Sequence, residues 1–135
     1  MKKKALLLLL SLPVLFSCHD HSKSAPQTDI ETATAFIRDV LDNDLSDAEQ
    51  FILKDEANNQ YFETFKRQYA NKTRQELDAY KKADIIIHET SNVTDSITII
   101  NYSNSYQQNA NSKLKLVRIN GKWLIDFKYT FSGNM

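Results

Sequence analysis

The chain carries only two glycines, two prolines and one cysteine in 135 residues. That scarcity of glycine excludes a glycine-rich phosphate loop and long flexible insertions. A single cysteine cannot close an intramolecular disulfide, so the fold must be held by its core. The main apolar run, Ala5 to Phe16, is twelve residues long, well short of the ~20 that a membrane-spanning helix requires. Beyond Lys4 there is no basic block, which argues against a nucleic-acid partner. Nucleophile elbows, zinc-ligand pairs at helical spacing and phosphate loops are also missing, so neither a cofactor nor a metal is expected.

What is present at the N-terminus is a processing signal. Lys2, Lys3 and Lys4 form a basic n-region, Ala5 to Phe16 an apolar h-region with five consecutive leucines, and Ser17 a small residue before the lone Cys18. This is the layout of a secretory signal peptide. The stretch Leu15-Phe16-Ser17-Cys18 resembles a lipobox. The resemblance implies cleavage between Ser17 and Cys18 by signal peptidase II, and a diacylated Cys18 as the mature N-terminus. Each buried CH₂ of an acyl chain contributes ~0.8 kcal/mol, and two chains suffice for stable anchoring. The partner implied is thus a membrane, reached through an N-terminal diacylglyceryl-cysteine. His19 stands where an aspartate would resemble an inner-membrane retention signal, which points to the outer membrane if the host is Gram-negative. Residues 18–27 read as a flexible tether, at most ~35 Å long when extended. His19, Asp20 and His21 lie within it, where no rigid second shell would orient metal ligands, so the expectation is a solvated spacer.

Removing residues 1–17 leaves 118 residues with 14 basic and 17 acidic side chains, a formal charge of −3. Residues 28–135 are expected to form one domain, long enough for a real core. Its first half is helical. Thr28-x-x-Glu31, Ser46-x-x-Glu49 and Thr73-x-x-Glu76 each have the form of a capping box. The first opens a helix with Ile30, Ala33, Ile37, Val40 and Leu41 on one stripe, fading at Asp42-Asn43-Asp44. The second is short, with Leu45, Ala48, Phe51 and Ile52 inward. Phe62, Phe65 and Tyr69 mark a third helix between Asn58 and Asn71, continuing through a kink into Leu77 and Tyr80.

From Ala83 the periodicity changes to two, predicting strands over Asp84–Glu89, Ser96–Tyr106, Lys113–Ile119 and Lys122–Phe131. Asn120-Gly121 is a hairpin signal, since a type I′ turn needs positive φ at both central residues. With those two as the loop, paired numbers sum to 241. One face then sets Leu116 against Ile125, Leu114 against Phe127 and Arg118 against Trp123. The other pairs Lys115 with Asp126 and Val117 with Leu124. Trp123, Ile125, Phe127, Tyr129 and Phe131 fall on the core face. The expected fold is α+β, with N-terminal helices packed on a curved antiparallel four-stranded sheet.

This order of elements resembles the nuclear-transport-factor-2-like superfamily, in particular small bacterial lipoproteins with an uncharacterised domain of that type. Asp44-Leu45-Ser46-Asp47-Ala48 is similar to the family's acidic start of the second helix, and Asn120-Gly121-Lys122-Trp123-Leu124-Ile125 to its closing hairpin. The resemblance would cover residues 28–131. It implies a cone between sheet and helices, which relatives use for binding or for isomerase and dehydratase chemistry.

Such chemistry needs a carboxylate base inside an apolar pocket, with an oxyanion donor opposite. The core-facing positions of the closing hairpin carry no acid, and Asp126 falls on the outer face. His88, on a face with Ile86, is a candidate base only if the cone opens beside it. Arg118 beside Trp123 reads as a cation–π pair, or else as a charge at a pocket mouth accepting an anion. Tyr102 and Tyr106, sharing a strand face in a stretch rich in Asn, Ser and Gln, read as a recognition surface or as a covered sheet edge. Asp95-Ser96-Ile97 resembles a bacterial O-glycosylation site in a turn. The expectation is a lipid-anchored, non-catalytic envelope protein. Tyr102, Tyr106, Arg118 and Trp123 are its candidate surface for a small ligand or another envelope protein. The alternative is a small-molecule enzyme using the cone.

Overall fold

The computed structural model describes residues 24–131. Ser17, Cys18, the signal segment and most of the tether, including His19, Asp20 and His21, lie outside the described residues. Helix α1 runs over Asp29–Leu41, α2 over Leu45–Ala48 with a 3₁₀ turn at Glu49–Phe51, α3 over Glu56–Tyr69 and α4 over Arg74–Lys81. Strands β1 (Ile85–Thr94), β2 (Ile97–Asn104), β3 (Ser112–Ile119) and β4 (Lys122–Ile125) follow, then a short helix α5, Lys128–Phe131. The strands form one antiparallel sheet in chain order, with the core between one face of that sheet and the helices. Among the described residues no helix is long and apolar enough to cross a membrane.

Local chemistry explains the helix ends. Thr28 and Thr73 are N-caps with complete capping boxes to Glu31 and Glu76. The N–H groups of Gln27 and Thr28 both donate to Glu31 and hold its carboxyl below the usual range. At the far end of α1, Asn43 takes a left-handed φ of 63°. Its N–H donates to the Val40 carbonyl at 3.1 Å and that of Asp44 to the Asp39 carbonyl at 2.8 Å. This is a Schellman turn, with asparagine in the place usually given to glycine.

The Ser46 capping box does not form. Helix α2 begins at Leu45, with Asp44 at the N-cap position and no side-chain cap, because the Schellman turn delivers the chain into the helix ahead of Ser46. The third predicted helix is two separate helices, with Thr73 capping the second rather than marking a kink. Ile30 is not on the buried stripe but 47% exposed.

The hairpin register is as the Asn120-Gly121 turn predicts. Leu116 pairs with Ile125, Val117 with Leu124, Arg118 with Trp123 and Ile119 with Lys122. Asn120 and Gly121 have φ of 51° and 77°. The fourth strand, however, stops at Ile125, and Tyr129 and Phe131 belong to the helical turn instead of a core row. Continuing the ladder would set Lys128 opposite Lys113, and like charges directly opposite destabilise a pair. The chain bends away, and its polar groups find other partners. The Lys128 N–H donates to Asn58 Oδ1 at 2.7 Å, and the Thr130 hydroxyl to the Lys113 carbonyl at 2.7 Å. The edge of β4 is closed by Ile52–Leu53, where the Leu53 N–H donates to the Ile125 carbonyl. At the opposite edge β1 runs past its predicted end at Glu89 to Thr94, with register shifts at Ile87/Glu89 and Asn92/Thr94. Such irregularities discourage edge-to-edge pairing.

Two buried clusters join helices to sheet. One is aromatic: Phe62 packs on Phe36, Phe65 and Phe127 with centroid separations of 6.4, 5.8 and 5.2 Å. The other is polar and corrects the expectation for Asp126, which pairs with Lys115 at 3.2 Å as predicted yet is 6% exposed. Fully buried Asn58 donates to Asp126 Oδ1 at 3.2 Å and to Asp55 Oδ2 at 2.8 Å, and Lys128 bridges Asp55 and Asp126. The Asn58 N–H and Lys128 hold the Asp55 carboxyl below its ordinary range.

Candidate functional site

Between α1, the ends of α3 and α4, and the start of the β2–β3 connection lies a cavity of about 190 Å³. Ile37, Val40 and Leu41 come from α1, Phe65 and Tyr69 from α3, Tyr80 from α4, and Tyr102 and Ser112 from the sheet. Exposed Gln107 and Ala110 form its rim.

Each wall is there for a local reason. Tyr69 ends α3 on the same face as Phe62 and Phe65, the 3–4 residue spacing that stacks side chains along a helix. Tyr80 lies in the last turn of α4, and the end of α4 is held by a residue 43 positions before Lys81. Arg38 donates to the Ala83 carbonyl at 2.9 Å and the Lys81 carbonyl at 3.2 Å, and pairs with Asp42 at 3.0 Å. A guanidinium on the last carbonyls of a helix satisfies acceptors and complements the dipole there. Tyr102 faces the helices because β2 alternates, with Thr98 and Ile100 ahead of it on the core side.

The cavity sets aromatic walls beside polar groups, with Lys72, Ser103, Asn104, Gln107 and Ser112 in its lining. Tyr69 and Tyr80 lie 6.2 Å apart between centroids, and Tyr80 meets Tyr106 edge-on at 5.1 Å. The Lys72 ammonium sits over both rings, 5.4 Å from Tyr69 and 4.8 Å from Tyr80. Tyr102 stands directly opposite Ser112 in the β2–β3 ladder. Tyr69 is 4% exposed, and its hydroxyl, sealed from the cavity, has no hydrogen-bond partner among the described residues. Leaving such a group unsatisfied costs about 1–3 kcal/mol. Burial, and then the field of Tyr80, push the Tyr69 hydroxyl up to about 12; burial pushes that of Tyr102 up to about 12 against the pull of Ser112. Both stay protonated donors throughout the physiological range.

Raised tyrosine values have a consequence for stability. Above pH 10 the unfolded chain releases tyrosine protons that the folded one retains, so alkali favours unfolding. Stability is expected to be intact below pH 10 and to fall between pH 10 and about 12. Circular dichroism melts across that window check this, and Tyr69→Phe should flatten the fall; a melt that does not change from pH 9 to 12 would contradict it.

The four predicted surface residues separate into two places. Tyr102 lines the cavity and Tyr106 reaches its rim through Tyr80, but the two do not share a strand face. Strand β2 ends at Asn104, whose side chain accepts from the Tyr106 and Gln107 N–H groups and turns the chain. Arg118 and Trp123 sit at the opposite end of β3, roughly 20 Å from Ser112 at ~3.3 Å per residue. They form the expected cation–π pair at 6.0 Å, in a polar surface groove with Asp29 and Asp95. Ser96 is exposed in the neighbouring β1–β2 turn.

His88 does not line the cavity itself: it sits at the β1 irregularity and bonds, at 2.7 Å, the hydroxyl of Ser103, a buried residue of the cavity lining. Among the described residues that line the cavity there is neither imidazole nor carboxylate, and His88 reaches it only through Ser103. Among the described residues no group of three metal-ligating side chains comes together.

The sequence reading placed Tyr69 and Tyr80 on helical core stripes and gave Lys72 no role. The signal available was tyrosine in place of phenylalanine at buried positions, since a buried phenol calls for a partner. Compared with protein-family models, curated proteins and solved structures, the chain matches none.

Proposed function

We propose that this is a lipid-anchored, non-catalytic protein of the bacterial cell envelope that binds a small ligand in the cavity between its helices and sheet. The observation that carries the binding half is a cavity of about 190 Å³ walled by Tyr69, Tyr80 and Tyr102, with the Lys72 ammonium over two of those rings. Aromatic walls with a few placed polar groups are the usual lining of a small-molecule site, and this one is smaller than most. The cone of the nuclear-transport-factor-2-like superfamily is the family setting we propose for it. The meander of four strands under N-terminal helices supports that reading.

The anchoring half rests on the sequence Leu15-Phe16-Ser17-Cys18 after a basic and apolar leader. Cys18→Ser should move the protein from the membrane to the soluble fraction of its host, checked by fractionation and immunoblotting. A Cys18→Ser protein that still sediments with membranes would contradict the anchor. The binding half predicts a molecule retained through purification from the native envelope.

A further inference from the structure

Resting on the reading of the cavity as a binding site, we propose that its ligand is a small apolar anion: a hydrocarbon body about the size of one ring, bearing a single carboxylate. Size sets the first limit. An apolar cavity of 150 Å³ accommodates benzene, so about 190 Å³ admits one ring with a short polar arm.

Charge sets the second. Lys72 is the one charged residue among those lining the cavity. Its ammonium lies over the faces of Tyr69 and Tyr80, where the rings attract a cation but supply no countercharge. Glu76, which feels Lys72, is occupied by the Thr73 N–H and hydroxyl at 2.7 and 2.9 Å. A ligand carboxylate would provide the missing negative charge. Polarity sets the third. Tyr102, Ser112 and the side-chain amides of Asn104 and Gln107 belong to the lining and carry donors for an acceptor, and a charged acceptor makes the stronger hydrogen bond. A cationic guest would meet Lys72 unfavourably.

The test is calorimetric titration of the lipidated protein in nanodiscs, with empty nanodiscs subtracted, using benzoate, benzyl alcohol and benzylamine as probes. Benzoate should bind about tenfold or more tightly than benzyl alcohol, the scale of one charge-assisted contact, and benzylamine should give no signal. Lys72→Met should abolish the advantage of benzoate while leaving the alcohol unaffected. Benzyl alcohol or benzylamine binding as tightly as benzoate would overturn the anionic class and leave the cavity reading standing. No binding of any probe, by protein shown to be folded by its thermal transition, would overturn both.

Discussion

Asn58→Ala should be the most damaging single polar substitution in the domain, lowering stability by about 3–5 kcal/mol. Asn58 is fully buried at the N-terminal end of α3 and its side chain serves three partners. Its amide donates to Asp55 and to buried Asp126, and its carbonyl accepts the Lys128 N–H. Alanine removes all three bonds and leaves Asp126 buried with Lys115 and Lys128 alone. The loss exceeds that of an ordinary hydrogen bond because a charged acceptor keeps its desolvation cost after its donor has gone. Asn58→Asp is the sharper variant. It preserves shape but sets a third carboxylate against Asp55 and Asp126, so at neutral pH it should be at least as damaging as alanine. Urea unfolding of the three proteins checks this, and an Asn58→Asp protein as stable as the parent would show that the network is not as drawn.

Phe62→Ala should cost a similar ~3–5 kcal/mol by a different route. Phe62 is fully buried at the centre of the aromatic cluster, stacked on Phe65 and edge-on to Phe127. Removing the ring forfeits its transfer free energy and opens a hole whose walls belong to two helices and the end of the sheet. Because α3 also carries Phe65 and Tyr69, relaxation into that hole would shift the cavity wall. A lowering of Tm by roughly 10 °C or more is expected, and Phe62→Leu should recover much of it. A Phe62→Ala protein melting within a degree or two of the parent would place the core elsewhere.

What could be read from the sequence was what is decided within a few residues. The Thr28 and Thr73 caps, the Asn120-Gly121 turn and the register it imposes all depend on side chains adjacent to the backbone they control. Readings failed where a distant partner intervened. The alternation of Trp123, Ile125, Phe127, Tyr129 and Phe131 continues as a strand would, yet Asn58, 70 positions from Lys128, captures the N–H at the bend. Asp126 looked like an outer-face residue because nothing local reveals α3 lying over it. The cavity shows the same division. Tyr102 was visible as an aromatic on a strand face, whereas its joining with Tyr69, Tyr80 and Lys72 depends on Arg38 fixing the end of α4. Arg118 and Trp123 were paired correctly by turn arithmetic, but the same arithmetic says nothing about how far that pair stands from the tyrosines.

The most direct test of the account is native mass spectrometry of the protein extracted from its own membranes in mild detergent. A bound small molecule should accompany the protein, and it should be lost from a Ser112→Trp variant in which the cavity is filled from β3. A parent protein that flies bare, with the same mass balance as the filled variant, would contradict the claim that the tyrosine cavity is a binding site.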